Sequence, residues 1–173
     1  MADSLGARGR FALRILAILL LLTLGWRVFT LGMADAKALK TPEQALQWRR
    51  HHPAALFTLS EQQVKHPETL AAARNNARAS LTAYPFNGRA YRVLAQIAAA
   101  DNNPPLAFEL YQKAEIYSPR DLETRAALLN YALLGNQVET AVYQLDMLLR
   151  LQPDLQVQLM PVISQLAAIP AAH

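Results

Sequence analysis

Residues 88–119 read GRAYRVLAQIAAADNNPPLAFELYQKAEIYSP. Residues 88–100 read as one helix, rich in Ala and Leu, which are strong helix formers. Asp101-Asn102-Asn103-Pro104-Pro105 then gathers turn formers and helix breakers in five positions. Residues 106–117 read as a second helix, and Pro119 marks its end because proline cannot continue a helix. Ala95, Ala107 and Ala114 are small enough to let two helix backbones approach, and Tyr91, Leu94 and Tyr111 fill the gaps that such an approach leaves.

The same plan recurs on both sides. Pro85, Pro119 and Pro153 are spaced 34 and 34 residues apart, and Pro53 lies 32 before Pro85. A fixed period of this size is the mark of stacked helix–turn–helix units. After Pro119, residues 122–134 form a helix that Asp121 can cap, with Glu123 in its positive first turn. Gly135-Asn136 closes it, and residues 137–150 form its partner. The segment after Pro53 has a shorter turn, broken by Pro67. Residues 42–52 read as a lone leading helix with Trp48 packing. Residues 155–169 read as a closing helix that either kinks at Pro161 or starts late. That closing helix is apolar, so its outer face meets a partner or another copy, or the sequence continues in something longer. The fold class is therefore all-α, a short solenoid of antiparallel helix pairs.

The unit from Gly88 resembles the tetratricopeptide repeat. Tyr91, Leu94, Ala95, Ala107, Tyr111, Ala114 and Pro119 fall where that family places its large, small, aromatic and proline residues, and Ala98 departs, being small where an aromatic is usual. The next unit supplies Arg125, Leu128, Leu129, Ala132, Ala141, Leu145, Leu148 and Pro153, which keep the apolar register but lose most of the small and aromatic choices. The unit before Pro85 supplies Ala73, Ala77 and Ser80 in its second helix. The resemblance covers roughly residues 54–153. It implies that the first helix of each pair lines a concave groove, with Arg89, Arg92, Gln96, Glu123, Ala126 and Asn130 pointing into it. Arg89, Arg92, Gln96 and Asn130 are the candidate partner contacts. The two arginines would take an acidic peptide or a chain terminus, or else are ordinary exposed arginines.

The N-terminus is different in kind. Residues 11–33, FALRILAILLLLTLGWRVFTLGM, carry only Arg14 and Arg27 as charges and are long enough to cross a hydrocarbon core. Arg14 and Arg27 lie near the two ends and can snorkel, and Trp26 suits an interface. Residues 1–10 would be a basic tail, residues 34–53 a linker and leading helix, residues 54–153 the repeats, and residues 154–173 the closing helix and tail. The uninterrupted core, residues 15–26, is 12 residues long. A cleavable signal peptide, cut at Ala34-Asp35-Ala36, is the competing reading. The uncut anchor is preferred because Arg27 and several apolar residues separate that site from the Leu run. The short basic tail points to a cytoplasmic N-terminus and an exported C-terminal domain at the inner membrane.

Charge and composition exclude more than they select. The net charge of +4 divides as +3 in residues 1–34, around the apolar segment, and +1 in the remainder. No basic stripe with interleaved aromatics is left for nucleic acid. Residues 35–92 hold nine basic and four acidic groups, and residues 93–173 four basic and eight acidic groups. This split is either drift or a docking polarity for self-association or for two different partners. There is no cysteine, so disulfides and thiolate chemistry are excluded. His51 and His52 in a loop, His66 beside Pro67 and His173 at the end lack metal-ligand spacing and read as solvated. No G-x-S-x-G, phosphate-cradling loop or H-E-x-x-H is present, and Glu109 and Glu115 read as a solvated face. No catalytic residue, metal or cofactor is expected. The partners expected are proteins or peptides on the concave face and a membrane through residues 11–33.

The expected function is a non-catalytic scaffold or assembly factor, held on a membrane leash. In plan the chain is similar to bacterial envelope proteins with one span and a tetratricopeptide domain. Such proteins serve exopolysaccharide export, cytochrome c maturation or translocon-associated chaperoning. Residues 34–62 are closest in style to proteins of exopolysaccharide systems. A signal-cleaved periplasmic chaperone and an accessory subunit of a membrane enzyme are the alternatives.

Overall fold

A computed structural model of the chain describes residues 7–167. In chain order it contains α1 (Ala7–Lys37), α2 (Pro42–Trp48), α3 (Pro53–Gln63), α4 (Leu70–Ala83), α5 (Gly88–Ala100), α6 (Pro104–Tyr117), α7 (Leu122–Leu134), α8 (Val138–Leu151) and α9 (Gln156–Ala167). Short 3-10 turns, Pro67–Thr69 and Pro153–Leu155, precede α4 and α9. Among the described residues there is no strand.

Local chemistry fixes these boundaries. The first helix of each pair is capped by its own side chain: His52 Nδ1 accepts from the Ala55 amide at 3.2 Å, Asn87 Oδ1 from Ala90 at 3.4 Å and Asp121 Oδ2 from Thr124 at 3.2 Å. Each such cap contributes about 1 kcal/mol. The turns inside the second and third pairs are also alike. Asn102 and Asn136 take left-handed backbone, φ 56° and 53°, and the amides that follow them return to Ala98 at 2.9 Å and Ala132 at 2.8 Å. Asparagine tolerates this conformation better than other residues with a Cβ. Gly135 has an ordinary φ of −86°, so Asn136 makes the reversal. The second helices α4, α6 and α8 each end two residues before Pro85, Pro119 and Pro153.

The pairs α3–α4, α5–α6 and α7–α8 stack so that every core is shared between neighbours. Phe57, Ala73, Ala77, Ala90, Val93 and Ile97 join the first pair to α5. Ala95, Ala98, Ala107, Tyr111 and Leu128 join the second pair to α7. Leu129, Ala132, Ala141, Leu145, Leu148 and Leu166 join the third pair to α9. Burying each large aliphatic chain contributes roughly 1.5–3 kcal/mol, so no pair holds its shape alone. Pro161 sits inside α9, which runs through it. The carbonyl that loses its partner is that of Val157, on an exposed part of the helix, where water can satisfy it.

The connection from α1 to the stack, read from the sequence as a linker and leading helix over residues 34–53, is packed against α1. α1 continues four residues past Met33 and ends at Lys37. After a tight turn, α2 folds back antiparallel to it: Lys37 Nζ reaches Gln44 Oε1 at 3.1 Å, and Trp48 packs edge-on against Phe29 at 5.9 Å. Ala34, Ala38, Ala45 and Ala55 are buried where the elements cross. His52 is a correction. It is 5% exposed, not solvated, and its Nε2 bonds Asp35 Oδ1 at 2.6 Å. Because Nδ1 already accepts the Ala55 amide, Nε2 carries the proton and donates it to the carboxylate. His51 and His66 are exposed, and His173 lies outside the described residues.

Candidate functional site

The first helices α3, α5 and α7 present successive faces to one open cleft of about 520 Å³. It is lined by Glu61, Val64, Lys65 and Leu70 on one side and Arg92, Gln96, Ala100 and Glu123 on the other. Arg92 lies at its floor with a side chain only 3% exposed. It ion-pairs with Glu61 of α3 and Glu123 of α7, and its Nε lies 2.9 Å from Asp121 Oδ2. Burial works against its charge most strongly, but the three carboxylates together prevail and hold its pKa above the ordinary arginine value. Arg92 therefore ties three consecutive pairs together, and its charge is already answered.

The other groove candidates divide. Gln96 lines the cleft and donates through Nε2 to Glu123 Oε2 at 3.3 Å, leaving its buried Oε1 without a partner. Arg89 is exposed, with Nε 3.8 Å from Asp121 Oδ1. Asn130 is exposed on α7, away from the residues that line this cleft. The expected pair of arginines is thus not a free cationic grip: Arg92 is locked inside and Arg89 leans on the same aspartate. Sequence reading puts Glu123 in the groove but misses Glu61 and the pairing of both acids with Arg92. Glu61 and Glu123 each stand 31 residues from Arg92, a regularity visible in the sequence once Arg92 is placed.

The repeat-packing candidates lie at different depths. Ala95, Ala107, Ala114 and Ala141 are fully buried, Tyr111, Leu128 and Leu145 are buried, and Tyr91 and Leu94 are half-buried. Tyr91 stacks on Tyr117 at 5.6 Å, in an exposed run of rings that continues through Phe86 to Tyr84. Burial, then the neighbouring Tyr131, pushes the Tyr111 phenol up to about 12. Pro119 and Pro153 are exposed in the connections. The solenoid shares its fold with solved helical repeats. The MamA RS-1 ArsTM double mutant superposes with a TM-score of 0.51 at 20% identity, over 72% of this chain and 74% of that one. MamA contains tetratricopeptide repeats. This is a tetratricopeptide-like helical repeat. No family model matches the chain, and no curated protein does.

A second arginine is buried one pair later. Arg125 Nε donates to the Pro119 carbonyl at 3.0 Å and Nη1 to Gln144 Oε1 at 2.9 Å; it also ion-pairs with Glu115 and lies 5.5 Å from the Tyr143 ring centre. Glu115 is thus a structural partner, not a solvated acid. Among the described residues no group of three His, Cys, Asp or Glu side chains converges on a metal-sized point.

Proposed function

We propose that this protein is a single-pass, membrane-anchored scaffold that holds a partner protein in the α3–α5–α7 cleft. The observation that carries the reading is the pairing of two surfaces. One is a continuous cleft built from three first helices, with an unpartnered amide oxygen on Gln96 inside it. The other is α1, whose most apolar window has a mean hydropathy of 2.0 and no burial within the protein. Phe11, Leu16, Leu21 and Trp26 are each more than half exposed, far more apolar surface than water tolerates on a lone helix. A lipid bilayer is the medium that suits it.

The alternative of a cleaved signal finds less support. Ala34-Asp35-Ala36 lies within α1, Ala34 is fully buried and Asp35 is bonded to His52, so a peptidase would have to unwind a packed helix. The basic tail favours a cytoplasmic N-terminus with the stack exported. One span plus a repeat favours the bacterial envelope as the setting, with exopolysaccharide export among its systems. Because the positive charge of Arg92 is already answered, the cleft suits an extended peptide held through its backbone better than a bare carboxylate.

Two measurements test this. The chain should remain in membranes after alkaline carbonate extraction, and an alkaline-phosphatase fusion after residue 173 should be active. A photo-crosslinking residue at Gln96 should yield a discrete protein adduct in intact membranes, and the same residue at the outer position Gln112 should not. Carbonate release would remove the anchor; an inactive fusion would reverse the orientation; no adduct from position 96 would remove the cleft.

A further inference from the structure

A second cleft, of about 460 Å³, lies where α2 folds back on α1. It is lined by Thr23, Trp26, Arg27, Thr30 and Leu31 of α1 and by Trp48 and Arg49 at the end of α2. Among the described residues neither Arg27 nor Arg49 takes part in an ion pair, a state they share with Arg14, Arg50, Arg78 and Arg120 and not with Arg74, Arg89, Arg92, Arg125 and Arg150. The hydroxyls of Thr23 and Thr30 already donate to carbonyls of their own helix, so the guanidinium groups are the donors left to a ligand. Arg50 follows directly and is exposed, which adds positive charge beside the cleft.

The height of this cleft along α1 identifies what can occupy it. Trp48 touches Phe29, so Arg49 sits level with the Arg27 region of α1. α1 is exposed from Phe11 to Trp26 and apolar apart from Arg14 and Thr23, whose hydroxyl is bonded within the helix. Those residues span roughly 24 Å at 1.5 Å each. With that length in hydrocarbon, the cleft falls in the headgroup layer, where tryptophan sides are favoured and lipid phosphates are concentrated. Two unpaired guanidinium groups match a phosphodiester, since a planar fork can bind it bidentately. A headgroup carrying its own ammonium would meet Arg50 unfavourably; one without it would not.

We infer that the Arg27–Arg49 cleft binds the phosphate of an anionic phospholipid headgroup and so seats the first turn of the stack on the bilayer. The inference rests on the reading of α1 as a membrane span.

The experiment uses the full chain in vesicles of phosphatidylcholine, alone or mixed with phosphatidylglycerol, and reads flotation, co-purified lipid and tryptophan emission. Trp26 and Trp48 are the chain's two tryptophans, so emission reports on this cleft directly. The expected result is flotation with both vesicles, enrichment of phosphatidylglycerol on the protein, and a shift in emission that accompanies it. Arg27→Gln and Arg49→Gln should each lower the enrichment about fivefold, while Arg120→Gln on the distant α6–α7 connection should leave it unchanged. Equal retention of the two lipids, or equal loss from the Arg120 variant, would overturn the site while leaving the span intact. The same emission shift produced by inorganic phosphate in detergent would overturn the lipid assignment. Failure to float with either vesicle would remove the span, and the lipid site with it.

Discussion

The pairs α5–α6 and α7–α8 follow one register and fill it with different residues. Thirty-four residues apart, Gly88 corresponds to Leu122, Ala95 to Leu129, Ala114 to Leu148 and Tyr111 to Leu145. In the earlier pair the backbones close on each other: a Cβ on Gly88 would stand 2.7 Å from the Ala114 carbonyl oxygen. In the later pair leucines occupy the same faces. Each pair buries one arginine, but at adjacent register positions: Arg125 takes the place of Tyr91, while Arg92 corresponds to the exposed Ala126. Shared buried positions, such as Ala95 with Leu129 and Ala114 with Leu148, carry the repeat, while Arg92 and Ala126 show that burial is not the same at every position.

The largest expected effect separates the two arginines. Arg92→Ala leaves Glu61, Asp121 and Glu123 facing one another and should cost about 3–5 kcal/mol in urea unfolding of the detergent-solubilised chain. Arg125→Ala leaves one carboxylate and neutral acceptors and should cost about 2 kcal/mol. Equal losses would show that the surplus of acid around Arg92 is immaterial.

Alkaline pH should next set the pairs apart, because Tyr111 has only Leu145 opposite it in register. A phenol held up to about 12 in the folded chain, against 10 when unfolded, gives stability that is full below pH 10 and lost as pH rises towards 12. The loss should approach about 2–3 kcal/mol. Tyr111→Phe should remove that part of the alkaline decline, read as the difference between the variant and the parent at pH 9 and pH 11.

Gly88→Ala should cost about 1–3 kcal/mol by overpacking against backbone that cannot yield, whereas Leu122→Ala should only thin a half-buried contact. Melting temperatures of the two variants compare them directly. The smallest effect should be the same in both pairs: Asn102→Ala and Asn136→Ala each place a less tolerant residue at a positive φ and should cost about 1 kcal/mol. Unequal values would mean that the two turns, alike in hydrogen bonding, carry different strain.

The repeat was legible because its signals are local. Asp121 and the Pro spacing mark the ends of α7 and α8, and residues 88–100 and 122–134 are helices with the bounds read from the sequence. Of the groove candidates, Arg92 and Gln96 line the cleft, and Arg89 and Asn130 do not. The state of Arg92 was not legible, because the groups that neutralise it come from α3 and from the start of α7. The junction was hidden for the same reason. Asp35 and His52 are 17 residues apart, in segments that read separately as the end of an apolar run and a loop. Small residues such as Ala34, Ala38 and Ala45 signal close approach only after the partner helix is known.

The bond between Asp35 and His52 has a mechanical consequence. His52 caps α3 with one ring nitrogen and grips α1 with the other, while α2 braces the same corner through Trp48. A shaft and platform joined at two points turn together. Any twist of α1 about its own axis would therefore sweep the cleft through the same arc, like a crank, and any tilt would carry the cleft with it.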